Sequence, residues 1–412
     1  GIFGVPVTIN LVRDEVKLVE QGAKGEILDV SVPASLKSAD EPGAAEEELR
    51  QAKIQVIKLP SFYADFDGKR DGEEGYTSAS RDVERLLDEG VEAGVEGVVL
   101  DLRFNGGGSL DEAVKLAGLF VSEGPIVQVR NSAMRTQVYR DQDDGIAFDG
   151  PLIVLINKMS ASASEIVAAA VQDYHRGVVL GDVSTHGKGT VQTVVNLDRF
   201  FSRHPIFKNE QTGSLKFTIA KFYRINGEST QKRGVIPDLV YPSFTDHMEL
   251  GEGTLKHALL WDEIKDLGVA AERDVRPYLP ALKARAEARL GNDPRYKTLQ
   301  EAITRYGIIR DRKELTLNKE ARRELQEAEE EWLAKVRDQA FGPRNDYRDD
   351  DEPAPDDPED ELAAAEDDED ERDVLMDEAA KVLGDLIWLQ AGELIAVPNE
   401  EKTAALAPKV VE

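Results

Sequence analysis

Ser160, Ser162 and Ser164 alternate with alanines in "NKMSASASEIVAAAV" (157–171), between one apolar run and the apolar face of a following segment. A hydroxyl at the start of a helix faces unpaired backbone N–H groups and the positive end of the helix dipole. Both favour a developing anion, and small neighbours let a substrate carbonyl come close. Such a serine is a nucleophile if a base stands beside it. Ser162-x-x-Glu165 also reads as a capping box. The two readings are compatible in part, because another serine of the trio can take the cap. Three side chains are candidates for the base. His175 follows Ser162 by thirteen residues, at the far reach of the same helix, and is badly placed. His186 lies in a later loop. Lys188 sits in "HGKGTVQ", between Gly187 and Gly189. A lysine acts as a base only if burial lowers its pKa from about 10.4 toward neutrality; otherwise Lys188 is a surface residue in a flexible turn. Gln192 can hold the amine by a hydrogen bond without adding a charge that would raise that pKa. "RFNGGG" (103–108) presents backbone N–H groups with no side chains in the way, as an oxyanion hole or as a plain glycine turn. No phosphate loop has the required spacing, and no clustered His/Asp pattern supports a metal.

These residues need elements to position them. "GVVLDLR" (97–103), "PLIVLIN" (151–157) and "GVVLGD" (177–182) are continuous apolar runs, the pattern of strands buried on both faces. Each ends in a small-residue or glycine break that holds one of the candidate groups. In open α/β sheets, sites collect at the carboxyl ends of strands, so the three breaks are expected to converge. Residues 78–94, 111–121 and the stretch after Ser162 have helical spacing. Strands alternating with helices predict an α/β core with much parallel pairing. "GSLKFTIAKFYRING" (213–227) predicts a hairpin turning at Asn226-Gly227. From about residue 254, "TLKHALLWDEIKDL" and three later segments predict amphipathic helices.

The chain has 412 residues, a net charge of −29 and no cysteine. The acidic balance argues against nucleic acid as a partner. The missing thiols exclude disulfides, cysteine nucleophiles and thiolate metal sites. No apolar run reaches the length of a membrane span. Gly1 reads as the start of a fragment or a processed form. About half of the net charge lies in residues 346–373. That block predicts a disordered linker, or a tail that docks a basic partner.

Taken together, "VLDLRFNGGGSLDEAVKLAGLF", "SASASEIVAAAVQDY", "GKGTVQ" and "KFYRINGESTQKRGVIPDL" resemble the carboxy-terminal processing proteases, in the tail-specific protease branch. These are serine endopeptidases with a Ser-Lys dyad. The resemblance is strong over 50–243 and continues to about 340. By position it implies Ser162 as nucleophile, Lys188 as general base and Gln192 as the residue that orients the base. It implies an oxyanion hole from the N–H of Ala163 and of Gly106 or Gly107, with Asp173 as a possible third catalytic member. The implied fold is α/β: a crotonase-like core of stacked ββα units over 54–243, with a helical C-terminal region over 244–345. Residues 1–31 are expected to be a remnant of a PDZ domain and 32–53 a linker. Residues 346–373 are the acidic linker and 374–397 a terminal helix. The resemblance implies no cofactor, a periplasmic setting, and protein substrates with apolar, unstructured C-terminal tails. It also allows association with the membrane periphery or an adaptor lipoprotein. The loop holding Lys188 is one residue longer than the common family spacing and places His186 beside the site. Two rivals stand beside this reading. One is a crotonase-like acyl-CoA enzyme with the same oxyanion geometry. The other is a non-catalytic binding or scaffold module.

Overall fold

The computed structural model describes residues 22–33, 49–72, 75–142, 145–201, 213–248, 250–336 and 374–393. Its strands are β1 (Lys24–Pro33), β2 (Leu49–Lys58), β3 (Gly97–Asp101), β4 (Gly124–Asn131), β5 (Thr136–Asp141), β6 (Leu152–Ile156), β7 (Val178–Gly181), β8 (Thr190–Asn196), β9 (Ser214–Tyr223) and β10 (Leu239–Val240). Its helices are α1 (Phe66–Asp71), α2 (Ala79–Ala93), α3 (Leu110–Gly118), α4 (Ala163–Asp173), α5 (Asp198–Phe201), α6 (Leu279–Leu290), α7 (Pro294–Arg310), α8 (Lys319–Val336) and α9 (Val374–Glu393).

The three apolar runs form the centre of a six-stranded sheet, in the order β1-β2-β3-β6-β7-β10. Strands β2, β3, β6, β7 and β10 are parallel, and every residue of β3, β6 and β7 is buried. Side chains alternate between the two faces, as the strand period requires. Val98, Leu100 and Val154 pack with α2, α3 and α4, whereas Val99, Ile153 and Leu180 pack with α6, α7 and α9. A parallel sheet buried on both faces explains runs with no polar alternation.

The expected separation of 1–31 from the core differs from what the strand pairing shows. Lys24–Pro33 pairs antiparallel along the whole of β2, at the edge of the core sheet. Residues 1–21 lie outside the described residues. Helix α9 lies against β1, β2, β3 and β6 and covers the sheet. It approaches so closely that a Cβ at Gly97 would sit 3.0 Å from Leu383. The acidic segment 346–373 lies outside the described residues.

A second sheet, β5-β4-β9-β8, is antiparallel throughout. Its strands β4, β5 and β8 were not legible in the sequence. The turn expected at Asn226-Gly227 is present, closed by Gly227 N–H to Arg224 O (3.1 Å) and Arg224 N–H to Glu228 O (2.8 Å), but residues 228–230 do not go on as a strand beside β9, which pairs with β8 and β4 instead. The helix expected over 254–267 is also absent. Its first residues make tight turns, Leu255 N–H to Glu252 O and Ala258 N–H to Leu255 O (3.2 Å each), and 262–267 lies extended beside 225–229, through Ser229 N–H to Asp262 O (3.1 Å), Ile264 N–H to Gly227 O (2.8 Å) and Leu267 N–H to Ile225 O (3.1 Å). Trp261 anchors it by donating to Ser229 O at 2.7 Å, under the guanidinium of Arg233. Tertiary pairing here overrides helical spacing.

Helices α6 and α9 are tied by Arg289, which binds Glu378 at 2.6 Å and Asp385 at 2.5 Å. Both carboxylates are buried. Arg289→Met leaves the buried Glu378 without its cation and Asp385 with Arg285 alone (2.7 Å), and thermal unfolding should show a loss of about 3–5 kcal/mol. A loss near zero would mean that α9 is not held by this pair.

Candidate active site

Strands β3, β6 and β7 release their loops at one end of the sheet, and the three breaks meet there. The flanking serines of the trio tie those loops together. Ser160 Oγ donates to Leu102 O (2.8 Å), and Ser164 Oγ donates to Asn105 O (2.8 Å). Ala161 N–H donates to Asn105 O as well (3.0 Å). Asn157 Oδ1 accepts from the N–H of Phe104 and of Met159 (3.0 Å each). Ser162 is left as the serine at the helix start.

Its backbone is unusual: Ser162 has φ 57° and ψ −104°. A non-glycine residue in such a conformation costs of order 1–3 kcal/mol and persists only where the surroundings hold it. What holds it is Glu165. The expected capping box is present, with Glu165 Oε2 accepting from Ser162 N–H at 2.7 Å. The same carboxylate reaches the loop after β7. Oε2 also accepts from Lys188 N–H (3.0 Å), while Oε1 accepts from Gly187 N–H (2.8 Å) and Thr185 Oγ1–H (2.6 Å). One buried carboxylate thus fixes the backbone of both Ser162 and Lys188. Burial pushes its pKa up to about 7, against the pull of four hydrogen bonds. Sequence reading saw Glu165 only as half of a cap, since nothing in the spacing links it to residues 185–188.

The glycine turn lies against the same elbow. A Cβ on Gly107 would come within 2.8 Å of Ser162 Cβ and 3.0 Å of Ala163 N, and its φ is +99°. Only glycine fits there. The two oxyanion candidates in the turn differ. Gly107 N–H is already donated to Asn105 Oδ1 (2.9 Å), whereas Gly106 N–H has no acceptor among the described residues.

Lys188 is half-buried, and its Nζ has no hydrogen bond or ion pair among the described residues. Burial lowers its pKa first and the charge of Lys216 lowers it further, while Glu252 and Glu165 oppose them. That is the direction a lysine base requires. The loop is also clamped from outside. Lys232 N–H donates to Gly187 O (2.7 Å), and Gly189 N–H donates to Gln231 Oε1 (2.9 Å). Gln231 Nε2 in turn donates to Glu252 Oε1 (3.0 Å).

The other candidates are placed as follows. Gln192 is exposed on β8, one residue past a shift in the β8–β9 register, and no hydrogen bond joins it to Lys188. His186 is held through its backbone, N–H to Ser160 O (3.0 Å) and O to Glu252 N–H (2.9 Å). Its Nδ1 is buried without a partner, and burial lowers its pKa. Asp173 is not gathered into the site. It ends α4, about 16 Å along the axis from Ser162, where it pairs with Arg224 (2.5 Å) and accepts from Ile225 N–H (3.2 Å). Its place is structural, tying α4 to the chain after β9. No cluster able to hold a metal occurs among the described residues.

Residues 53–241 match the model of peptidase family S41, and residues 245–388 match that of the C-terminal domain of tail specific protease. The chain belongs to family S41, in its tail-specific protease branch. It is 37% identical over 318 residues to the tail-specific protease of Haemophilus influenzae, a match covering 76% of this chain and 40% of that protein. It is 40% identical over 155 residues to the carboxy-terminal-processing protease of Bartonella bacilliformis, covering 35% and 31%. Among solved structures it is similar to the photosystem II D1 C-terminal processing protease, at 28% identity and a TM-score of 0.38, covering 52% of this chain and 48% of that one. The chain spans less than half the length of these relatives.

If Lys188 is the base, the rate rises with pH as it loses its proton. Lys216→Met removes a positive charge that helps expel that proton, so the rising limb of kcat/KM should move to higher pH. A limb that stays in place would remove Lys216 from the electrostatics of the site.

Proposed function

We propose that this chain is a serine endopeptidase that cuts protein chains with apolar, unstructured C-terminal tails, using Ser162 and Lys188. One observation carries the reading: the buried Glu165 carboxylate binds the backbone of Ser162 and of Lys188 together, at a helix start, in a chain of the S41 family. Neutral Lys188 Nζ takes the Ser162 proton as Oγ attacks the peptide carbonyl carbon. The oxyanion rests on the N–H of Ala163 and of the glycine turn, where Gly106 has the N–H without an acceptor among the described residues and Gly107 is the alternative. The protonated lysine then delivers its proton to the leaving amine as the C–N bond breaks. Lys188, neutral again, takes a proton from the water that attacks the acyl ester and returns it to Ser162 Oγ as the ester C–O bond breaks. Gln192, on the strand that follows, is the residue proposed to steady the amine once substrate is bound. A crotonase-like ββα arrangement, a PDZ origin for residues 1–31, a periplasmic setting and an adaptor lipoprotein as partner belong to the same reading. No described helix is long and apolar enough to cross a membrane.

The test is cleavage of an unfolded protein with an apolar C-terminus, followed by mass spectrometry. The parent should cut, and Ser162→Ala and Lys188→Ala should each lose activity by about three orders of magnitude or more. Continued cutting by Lys188→Ala, with His186→Ala silent, would move the base to His186.

A further inference from the structure

Strand β8 lies at the edge of the second sheet, and among the described residues it pairs with β9 alone. An edge strand is a template for another chain, and proteins usually blunt it with charge, proline or cover. This edge has none of those in its own sequence. "TVQTVVN" holds no charged residue and no proline, in a chain of which 32% is charged, and five of its residues are β-branched. The ribbon it forms with β9 has two unlike faces. Thr193 opposite Phe217 and Val195 opposite Leu215 make one, with Ile219 beyond them. Leu215, Phe217 and Ile219 are 52%, 42% and 44% exposed, an uncovered apolar stripe. Gln192 opposite Thr218 and Val194 opposite Lys216 make the other face. That second face carries Lys216, which acts on Lys188.

We propose that β8 is the strand on which the substrate chain is laid down, in extended form, as a fifth strand of the second sheet. The inference rests on the Ser162–Lys188 reading and adds to it where and how the chain is held. Thr190 follows Lys188 by two residues, so a strand on β8 leads into the site. Every pairing in this sheet is antiparallel. A substrate following that rule runs with its carboxyl-terminal end toward Lys188, and the residues before the cut lie along β8. Main-chain hydrogen bonds then supply affinity that ignores sequence. Side chains fall alternately on the apolar stripe and on the Gln192–Lys216 face. The chemistry recognised is therefore an unfolded segment with apolar residues at every second position. Pairing of β8 with a second copy would use the same edge but would block the site, so substrate is the occupant the geometry favours.

The probe is a synthetic apolar peptide as long as β8, methylated at one backbone nitrogen at a time. Its binding to the full Ser162→Ala chain is followed by fluorescence anisotropy. Methylation should weaken binding by about five- to tenfold at every second amide and leave the intervening amides unchanged. In the otherwise unmodified protein, Val195→Lys should raise KM by about tenfold with kcat changed less than about twofold. A flat methylation series, with cleavage by the parent intact, would overturn the proposal and leave the Ser-Lys reading standing. An alternating series with no cleavage by the parent would do the reverse. A dimer in sedimentation that Val195→Lys dissolves, with KM unmoved, would assign the edge to a second copy and overturn the proposal.

Discussion

The geometry of the site depends on one carboxylate. Glu165 is fully buried, and its two oxygens accept from Ser162, Thr185, Gly187 and Lys188. A buried carboxylate is costly unless its lone pairs are filled, and here donors from two loops fill them. Ser162 is in a strained conformation, and the 185–188 loop contains a glycine at positive φ. The strain at Ser162 is therefore balanced by a carboxylate whose other hydrogen bonds reach Lys188 and its loop. Among the described residues the Lys188 amine has no hydrogen bond or ion pair, and burial disfavours its protonated form.

That carboxylate can act only because the sheet brings its partners together. Parallel strands β3, β6 and β7 present the glycine turn, the serine elbow and the lysine loop at one end. The sheet is rigid because both faces are covered. Helices α2, α3 and α4 lie on one face, and α6, α7 and α9 lie on the other. The C-terminal helices thus share a core with the strands that carry the site. The linkage continues through Phe244, which packs edge-on to Tyr306 of α7. Next to it, Thr245 donates to the buried Asp182, whose carboxylate also accepts from Lys158 N–H (2.7 Å).

Much of this was legible in the sequence, for physical reasons. Continuous apolar runs at 97–103, 151–157 and 177–182 can only be strands buried on both sides, and sites gather where such strands end. The serine trio and the glycines were legible because small residues at a strand end have few other uses. The rest was hidden. Strand β5 carries too many polar residues for a strand pattern to stand out, since it lies at the sheet's edge, partly open to water. Residues 254–267 have helical spacing, yet form turns and then, over 262–267, an extended segment, because Trp261 and the backbone of 225–229 hold them. Asp173 matched a family position but serves Arg224. The wider role of Glu165 could not be read, because three of its four partners come twenty and more residues later and two of those are backbone N–H groups.

The most direct test of the account is the rate at which Ser162 is acylated by a reactive ester, read by intact and peptide mass spectrometry in the parent and in Glu165→Gln. The amide keeps the shape of the carboxylate but turns an NH₂ toward N–H donors. The account predicts label on Ser162 in the parent, and acylation slowed by roughly ten- to a hundredfold in a folded Glu165→Gln, from about 1–3 kcal/mol of lost pairing. Acylation of Glu165→Gln at the parental rate, or label on another residue, would contradict it.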